Sequence, residues 1–440
     1  MSAIAQLLLR QGCRISGSDL KENHITEKLK NAGAEIYLGH RAGNIKAVDL
    51  VVYSSAIRPD NPELLEAIFR KLPIFQRAQI LNELMKDAKS ITVAGAHGKT
   101  TTTSMISCLL TSAGLNPTVA TGGVVCSSGE NAWLGDGKYF VAELDESDGS
   151  FLYFHPHLSV VTNIDFEHVD YYGDWDNILE AYKKFIYQTR EGGWVIGCGD
   201  DQHIRDILAD YPGKKITFGL KENNEVTASD IKLDNLSSRF DCIYRGSKLG
   251  KISLSVPGEH NVSNSLAAVC VGMELSIDFK MISEGLSQFR GVQRRFQIKH
   301  RINDITIVDD YGHHPTEIRA TLAAAKAVNH DRLVVIFQPH RYSRTKFLLE
   351  EFGGSFSESD YLIVTDIYAA SESPIEGVSA LNIYEKVKAG GHRDAHYFRK
   401  DEIIEQLLKT LLPRDLVIFL GAGDIGRLAD ELAEGIKKNS

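Results

Sequence analysis

At 440 residues the chain is too long for one ordinary hydrophobic core, so two or three domains are expected. Its 43% hydrophobic and 24% charged residues are the balance of a globular, water-exposed protein. The 49 basic against 58 acidic residues (net charge -9) exclude a basic footprint for nucleic acid, and no apolar run reaches the length of a membrane span.

The first element is a helical pattern over residues 1–10, interrupted by Gln6 and without a basic leader, which reads as a surface helix rather than a signal peptide. A strand over 14–16 runs into Gly17-Ser18-Asp19, followed by a helix over 27–32 and strands over 35–38 and 50–53, the last closing on Ser54-Ser55-Ala56. A dinucleotide-type domain opens with a strand and a glycine-rich turn, whereas this sequence opens in the helix expected after them. That strand and its phosphate loop are therefore expected to be missing ahead of Met1.

A second block begins with a strand over 91–94, a loop over 95–99 and a helix over 101–113 stopped by Gly114. Buried-type strands follow over 138–144 and 159–165. Alternating apolar residues over 240–244 and 251–256, around a turn at Gly246, predict an antiparallel appendage, and a helix returns over 257–275. A third block starts near Arg295, with strands over 305–309, 333–338, 361–366 and 416–420 separated by helices. Strands alternating with helices predict an α/β fold on parallel sheets. The six cysteines (Cys13, Cys108, Cys126, Cys198, Cys242, Cys270) are scattered without ligand spacing and read as buried free thiols of a reducing compartment.

The strongest motif is Gly95-Ala96-His97-Gly98-Lys99-Thr100, with Thr101 opening the helix. Such a loop aims backbone N–H groups and a helix N-terminus at phosphate, Lys99 adds a positive charge, and the Thr100 hydroxyl can ligate Mg2+. Two further candidates fall at strand ends. Glu143 opens the run Leu144-Asp145-Glu146-Ser147-Asp148, and His168 lies in Asp165-Phe166-Glu167-His168-Val169-Asp170. Ligands of open α/β sheets bind beyond the carboxyl ends of strands, so Glu143 suits a Mg2+ ligand. Read alone, Glu143 is as well explained as a solvated strand end and His168 as an ordinary histidine; their place beside the loop makes them candidates.

In the third block, Asp309-Asp310-Tyr311-Gly312-His313-His314-Pro315 ends one strand and Pro339-His340-Arg341-Tyr342-Ser343-Arg344 the next. The arginines offer planar forks for carboxylate or phosphate. Paired histidines also suit Zn2+, but no third ligand with suitable spacing accompanies them.

Gly-x-His-Gly-Lys-Thr-Thr-Thr, then Glu-x-Asp-Glu-Ser-Asp, then Asn-Ile-x-x-x-His-x-Asp resemble the central ATPase domain of the Mur ligases and the related folylpolyglutamate synthetases. Arg290–Gln297, residues 309–315 and Phe337–Thr345 look like the branch that joins L-alanine to a muramoyl nucleotide, and the resemblance covers essentially the whole chain. It implies three domains: a UDP-binding domain (1–88) lacking its first strand and glycine loop, a central ATP-binding domain (89–297) and a C-terminal amino-acid-binding domain (298–440). It implies ATP and Mg2+ as cofactors, UDP-N-acetylmuramate and L-alanine as substrates, and a cytoplasmic monomer or weak homo-oligomer.

The same resemblance implies Thr100, Glu143 and His168 as Mg2+ ligands. His260 and Asn261, with Asn264, would lie on the adenine side, Arg295 (or Arg294) near the nucleotide, and Asp310 at the ribose or the hinge. His313, His340, Arg341 and Arg344 would line the reacting end. Ser18, Asp19, His40 and Ser55 would face UDP. Lys183 and Lys184 lie near the place where many relatives carry a carbamylated lysine, a role left unassigned. Ala96 and Glu167 depart mildly from the family's common residues. Two alternatives stay open: a ligase that adds a whole tripeptide to the same nucleotide sugar, and a catalytically silent nucleotide-binding module.

Overall fold

After a first helix, Ser2–Arg10, the N-terminal segment carries four short strands: β1 (Ser16–Asp19), β2 (Glu35–Leu38), β3 (Val51–Tyr53) and β4 (Ile74–Gln76). The structure, a computed structural model, describes residues 1–439. β1 pairs with β2 and β3 with β4, both parallel, as two separate two-stranded sheets. The crossover helices begin at side-chain caps. Asn23 accepts from the amides of Ile25 and Thr26, and Asn61, ahead of Pro62, accepts from those of Glu63 and Leu64. The first strand lies further along than residues 14–16, because Gly17 and Ser18 themselves pair with Ile36 and Tyr37.

Helix Ser2–Arg10 buries one face, leaving Ser2, Ala5, Leu8 and Leu9 partly exposed and Arg10 exposed. Ala3, Ile4, Gln6 and Leu7 are buried, and Gln6, the residue that breaks the apolar run, donates to Asn131 Oδ1 at 3.2 Å. Arg10 closes the contact with paired hydrogen bonds to Glu130 at 2.9 and 3.0 Å.

The central sheet comprises β5 (Lys89–Ala94), β6 (Thr118–Val125), β7 (Glu130–Trp133), β8 (Tyr139–Glu143), β9 (Leu158–Val161), β10 (Trp194–Cys198), β11 (Lys214–Phe218), β12 (Val226–Asp234), β13 (Ser237–Tyr244) and β14 (Ser247–Leu254). Its order is β14-β13-β12-β11-β10-β9-β5-β8-β6-β7. β5 is flanked by β8 and β9, all parallel. From there the later strands extend to one side and β8, β6 and β7 to the other, so the carboxyl end of β5 is the topological switch point, where α/β sheets form their ligand crevice. β9 stops at Val161, short of the expected 165, because Thr162 and Asn163 leave the ladder to bond the loop after β5. β12, β13 and β14 are sheet neighbours joined by two-residue turns at residues 235–236 and 245–246, connections too short for any but antiparallel pairing. The appendage thus has three strands rather than two.

The last sheet holds β15 (Gln297–Ile302), β16 (Ile305–Asp310), β17 (Arg332–Phe337), β18 (Tyr361–Val364), β19 (Ala395–Tyr397) and β20 (Asp415–Leu420), in the order β15-β16-β20-β17-β18-β19. Leu333, Val335 and Phe337 of β17 with Leu416, Ile418 and Leu420 of β20 face one core. Val334 and Ile336 with Val417 and Phe419 face the other. Helices cover both faces, which is why these strands read as unbroken apolar runs.

The chain forms two compact units, Met1–Ser229 with Cys242–Gly250 and Ser263–Gln288, and Asp230–Asp241 with Lys251–Val262 and Phe289–Ser440. The cysteines are free as expected, but only Cys198, Cys242 and Cys270 are buried; Cys13 and Cys126 are exposed. No helix among the described residues is long and apolar enough to cross a membrane.

Candidate active site

The loop after β5 folds into helix Lys99–Ser112, with Gly98 at its N-cap in a left-handed conformation (φ +80°). A Cβ there would lie 2.6 Å from Asn264 Oδ1, so the position requires glycine on both conformational and steric grounds. The loop is clamped from β9. Asn163 Oδ1 accepts from the His97 amide at 2.8 Å, while Asn163 Nδ2 and Thr162 Oγ1 donate to the His97 carbonyl. The His97 ring meets Asp165 at 2.8 Å.

Lys99 Nζ donates to the carbonyls of Gly95 (2.6 Å) and Ala96 (3.0 Å) and to Glu146 Oε1 (2.7 Å). Burial alone would push its pKa down. The carboxylates of Glu146 and Glu143 outweigh that and hold it above the ordinary lysine value, so the ammonium stays charged.

Thr100 and Glu143 come together, with Thr100 Oγ1 donating to Glu143 Oε1 at 2.9 Å. The other Glu143 oxygen accepts from the Gly122 amide (2.6 Å) and Thr121 Oγ1 (3.3 Å). A Cβ on Gly122 would lie 2.8 Å from both carboxylate oxygens, so β6 approaches Glu143 closely because this residue has no side chain. His168 Nε2 is set against Glu146 (3.5 Å) and Glu167 (3.8 Å).

Glu146 is thus the carboxylate that touches both Lys99 and His168. The sequence offered it only as one member of an acidic run. Its Oε2 is buried without a hydrogen-bond partner, and ligand atoms of Glu146, Glu167 and His168 lie within 4.8 Å of one another. The carboxylate oxygens of Glu143 and Glu146 and the Thr100 hydroxyl are donors that fit a hard cation such as Mg2+, whereas the His168 nitrogen is an unusual ligand for it. Lys183 and Lys184 are both exposed on helix Trp175–Tyr187.

At the C-terminal sheet, the guanidiniums of Arg294 and Arg295 each lie over the Tyr311 ring, at 5.0 and 5.1 Å from its centre. Arg295 also reaches Glu317 at 3.2 Å. His313 lies 5.6 Å, ring to ring, from His340, which stacks on Tyr368 at 5.7 Å. Arg344 Nη1 donates to His340 Nδ1 at 3.1 Å. Burial, reinforced by His313, Arg344 and Arg341, pushes His340 down to about 3, so its ring is neutral at physiological pH. Asp310 accepts from the amides of Phe296 and Gly312, each at 2.7 Å, and from Thr321. His260 is exposed at the start of helix Glu259–Glu274, and Asn261 Nδ2 bonds the Pro257 carbonyl.

In the N-terminal segment, Ser18 Oγ bonds His40 Nδ1 at 2.8 Å and donates to Glu63 Oε2 at 2.7 Å. Glu63, which the sequence did not single out, also accepts from Asn44 and the Arg41 amide. Asp19 and Ser55 are exposed at strand ends outside that network.

Three family models cover most of the chain: the Mur ligase family catalytic domain over residues 1–89, the Mur ligase middle domain over 93–272 and the Mur ligase glutamate ligase domain over 294–423. A UDP-N-acetylmuramate–L-alanine ligase of Geotalea uraniireducens is 48% identical over 438 residues, 99% of this chain and 96% of that one. The chain belongs to the Mur ligase family. This Mur ligase matches the crystal structure of UDP-N-acetylmuramate–alanine ligase from Thermotoga maritima with a TM-score of 0.87 at 30% identity, covering 100% of this chain and 97% of that one. A murein peptide ligase of Psychrobacter arcticus matches with a TM-score of 0.73 at 23% identity over 99% and 96% of the two chains, a likeness of fold. The three-domain α/β architecture is that of a Mur ligase, and Mur ligases are ATP-dependent enzymes.

Proposed function

We propose that this chain ligates L-alanine to the carboxylate of UDP-N-acetylmuramate, with ATP and Mg2+, in the cytoplasmic assembly of peptidoglycan precursors. The observation that carries the reading is the charged Lys99, paired to Glu146 beside the Thr100–Glu143 pair at the switch point of the central sheet. The full-length relatives at 46–48% identity, which carry this activity in their names, support it. The peptide-adding alternative rests on a relative of lower identity and lower structural similarity.

Transfer of the γ-phosphoryl group to a carboxylate brings two anions together, so catalysis is mainly charge compensation and positioning. Lys99 and the loop amides hold the phosphates. Thr100 and Glu143, with His168 and Glu146 alongside, would hold Mg2+, which when bound would supply positive charge against the phosphates. The resulting acyl phosphate is attacked by the free amine of L-alanine, and the tetrahedral intermediate collapses to amide and inorganic phosphate. His313, His340, Arg341 and Arg344 line the reacting end. The neutral imidazole of His340 and the two guanidiniums suit a site that must accept a carboxylate without protonating the amine. Ser18, Asp19, His40 and Ser55 face the UDP group, with Glu63 orienting His40 through Ser18. His260, Asn261 and Arg295 serve the nucleotide. The working domains are 1–88, 89–297 and 298–440.

The test is product identity. Incubation with ATP, Mg2+, UDP-N-acetylmuramate and L-alanine should give a nucleotide sugar heavier by one alanyl residue. A nucleotide sugar unchanged in mass, under conditions where a related ligase is active, contradicts the assignment.

A further inference from the structure

Arg341 sits at φ +70°, ψ 141°, a backbone conformation that L-residues rarely adopt, immediately before helix Tyr342–Phe347. Such a conformation is strained and persists where its surroundings over-determine it. Two restraints hold it. The Arg341 amide donates to the Tyr368 carbonyl at 2.9 Å, and the Tyr368 amide donates back to Pro339 at 2.8 Å. On the other side of Arg341, Glu372 takes Ser343 with both carboxylate oxygens, accepting from its amide at 3.0 Å and its hydroxyl at 2.6 Å. Glu372 Oε1 also lies 4.0 Å from Arg341 Nη1. The segment carrying Glu372 is itself bent through two left-handed residues, Ala370 (φ +48°) and Ser371 (φ +71°).

We infer that Glu372 is a positioning residue: by pinning Ser343 and flanking the Arg341 guanidinium, it sets Arg341 to receive the α-carboxylate of the incoming amino acid. This rests on the placement of Arg341 at the reacting end in the proposed function. A planar guanidinium recognises a carboxylate well only when its fork is oriented, so loss of the restraint should weaken amino-acid capture while leaving the phosphoryl-transfer machinery alone.

The experiment is steady-state kinetics of the full chain with each of the three substrates varied in turn, for wild type, Glu372→Ala, Glu372→Asp and Ser343→Ala. Glu372→Ala should raise the KM for L-alanine roughly tenfold, with the KM values for ATP and the nucleotide sugar within about twofold and an unchanged melting temperature. Ser343→Ala should raise the same KM by a smaller factor, and Glu372→Asp should recover part of the loss. An unchanged L-alanine KM, or a common rise in all three, overturns the inference. If Glu372→Ala does not fold, Ser343→Ala decides alone by the same criterion. A wild-type chain that uses a different amino acid would sink the L-alanine assignment and leave this test intact, read on that amino acid's KM.

Discussion

The Lys99 ammonium and the Glu146 carboxylate lie 2.7 Å apart, with both side chains largely out of water. A buried pair of this kind is costly to break from one side, because the remaining charge is left without compensation. Lys99→Met should therefore lose stability, by about 3 kcal/mol, and lose turnover by roughly a thousandfold. The double variant Lys99→Met/Glu146→Gln should regain most of the stability and none of the activity. Denaturant melts alongside phosphate-release assays check both. A Lys99→Met chain as stable as wild type would remove the pair from the account.

Gly122 should tolerate no side chain, for a reason separate from backbone conformation. A methyl group there would press on both oxygens of Glu143. Gly122→Ala should weaken the apparent affinity for Mg2+ roughly tenfold, since about 1.4 kcal/mol of lost ligand geometry has that effect, with little change in melting temperature. Direct Mn2+ binding by spin resonance, together with the Mg2+ dependence of turnover, is the measurement. Equal metal affinity in the two proteins would count against Glu143 as a ligand.

His340 gives a stability signature in acid. Its folded pKa is depressed to about 3 by burial and the neighbouring cations, while the unfolded chain binds a proton near the ordinary histidine value. Between those two values the unfolded state holds more protons, so stability is complete above the unfolded pKa and is lost as pH falls through the window. The slope is at most about 1.4 kcal/mol per pH unit for one group. His340→Gln should lose less stability than wild type between pH 7 and pH 5. Parallel unfolding curves for the two proteins would contradict the burial of a neutral ring.

Away from the site, Arg332 and Asp415 join β17 to β20 through hydrogen bonds of 2.7 and 3.0 Å, and Asp415 also accepts from the Leu412 amide. Asp415→Ala should cost about 3 kcal/mol of stability while leaving the kinetic constants of the remaining folded protein unchanged. Altered KM values would mean that the amino-terminal ends of β17 and β20 communicate with the reacting end.

The phosphate loop was legible because strand, glycine turn, Lys-Thr and helix must coincide for it to work, and all four are local. Glu146 was not. Within Glu143–Asp148 every carboxylate lies near a strand end, and which one meets Lys99 depends on the turn in which Gly149 bonds back to the Glu146 carbonyl. β6 was hidden by Gly122 and Gly123, which erase the β pattern at the place where close approach to Glu143 needs it. β15 alternates, but its ladder shifts register between Ile298 and His300, which blurs the period. β19 has three residues and no pattern to read. The first helix showed its amphipathic face plainly. That β7 covers it is a tertiary fact, carried by Gln6 with Asn131 and Arg10 with Glu130. In the C-terminal sheet the apolar runs gave the inner strands, while the joining of Glu372 to Ser343 across 29 residues had no signal in the sequence.

The most direct test of the central claim is amino-acid-dependent phosphate release from ATP, with Mg2+, UDP-N-acetylmuramate and a panel of L-alanine, glycine, L-serine, L-glutamate and the stem tripeptide. The account predicts release that requires the nucleotide sugar and is fastest, by kcat/KM, with L-alanine. Release driven by the tripeptide but not by L-alanine, or nucleotide binding with no release for any acceptor, would contradict it.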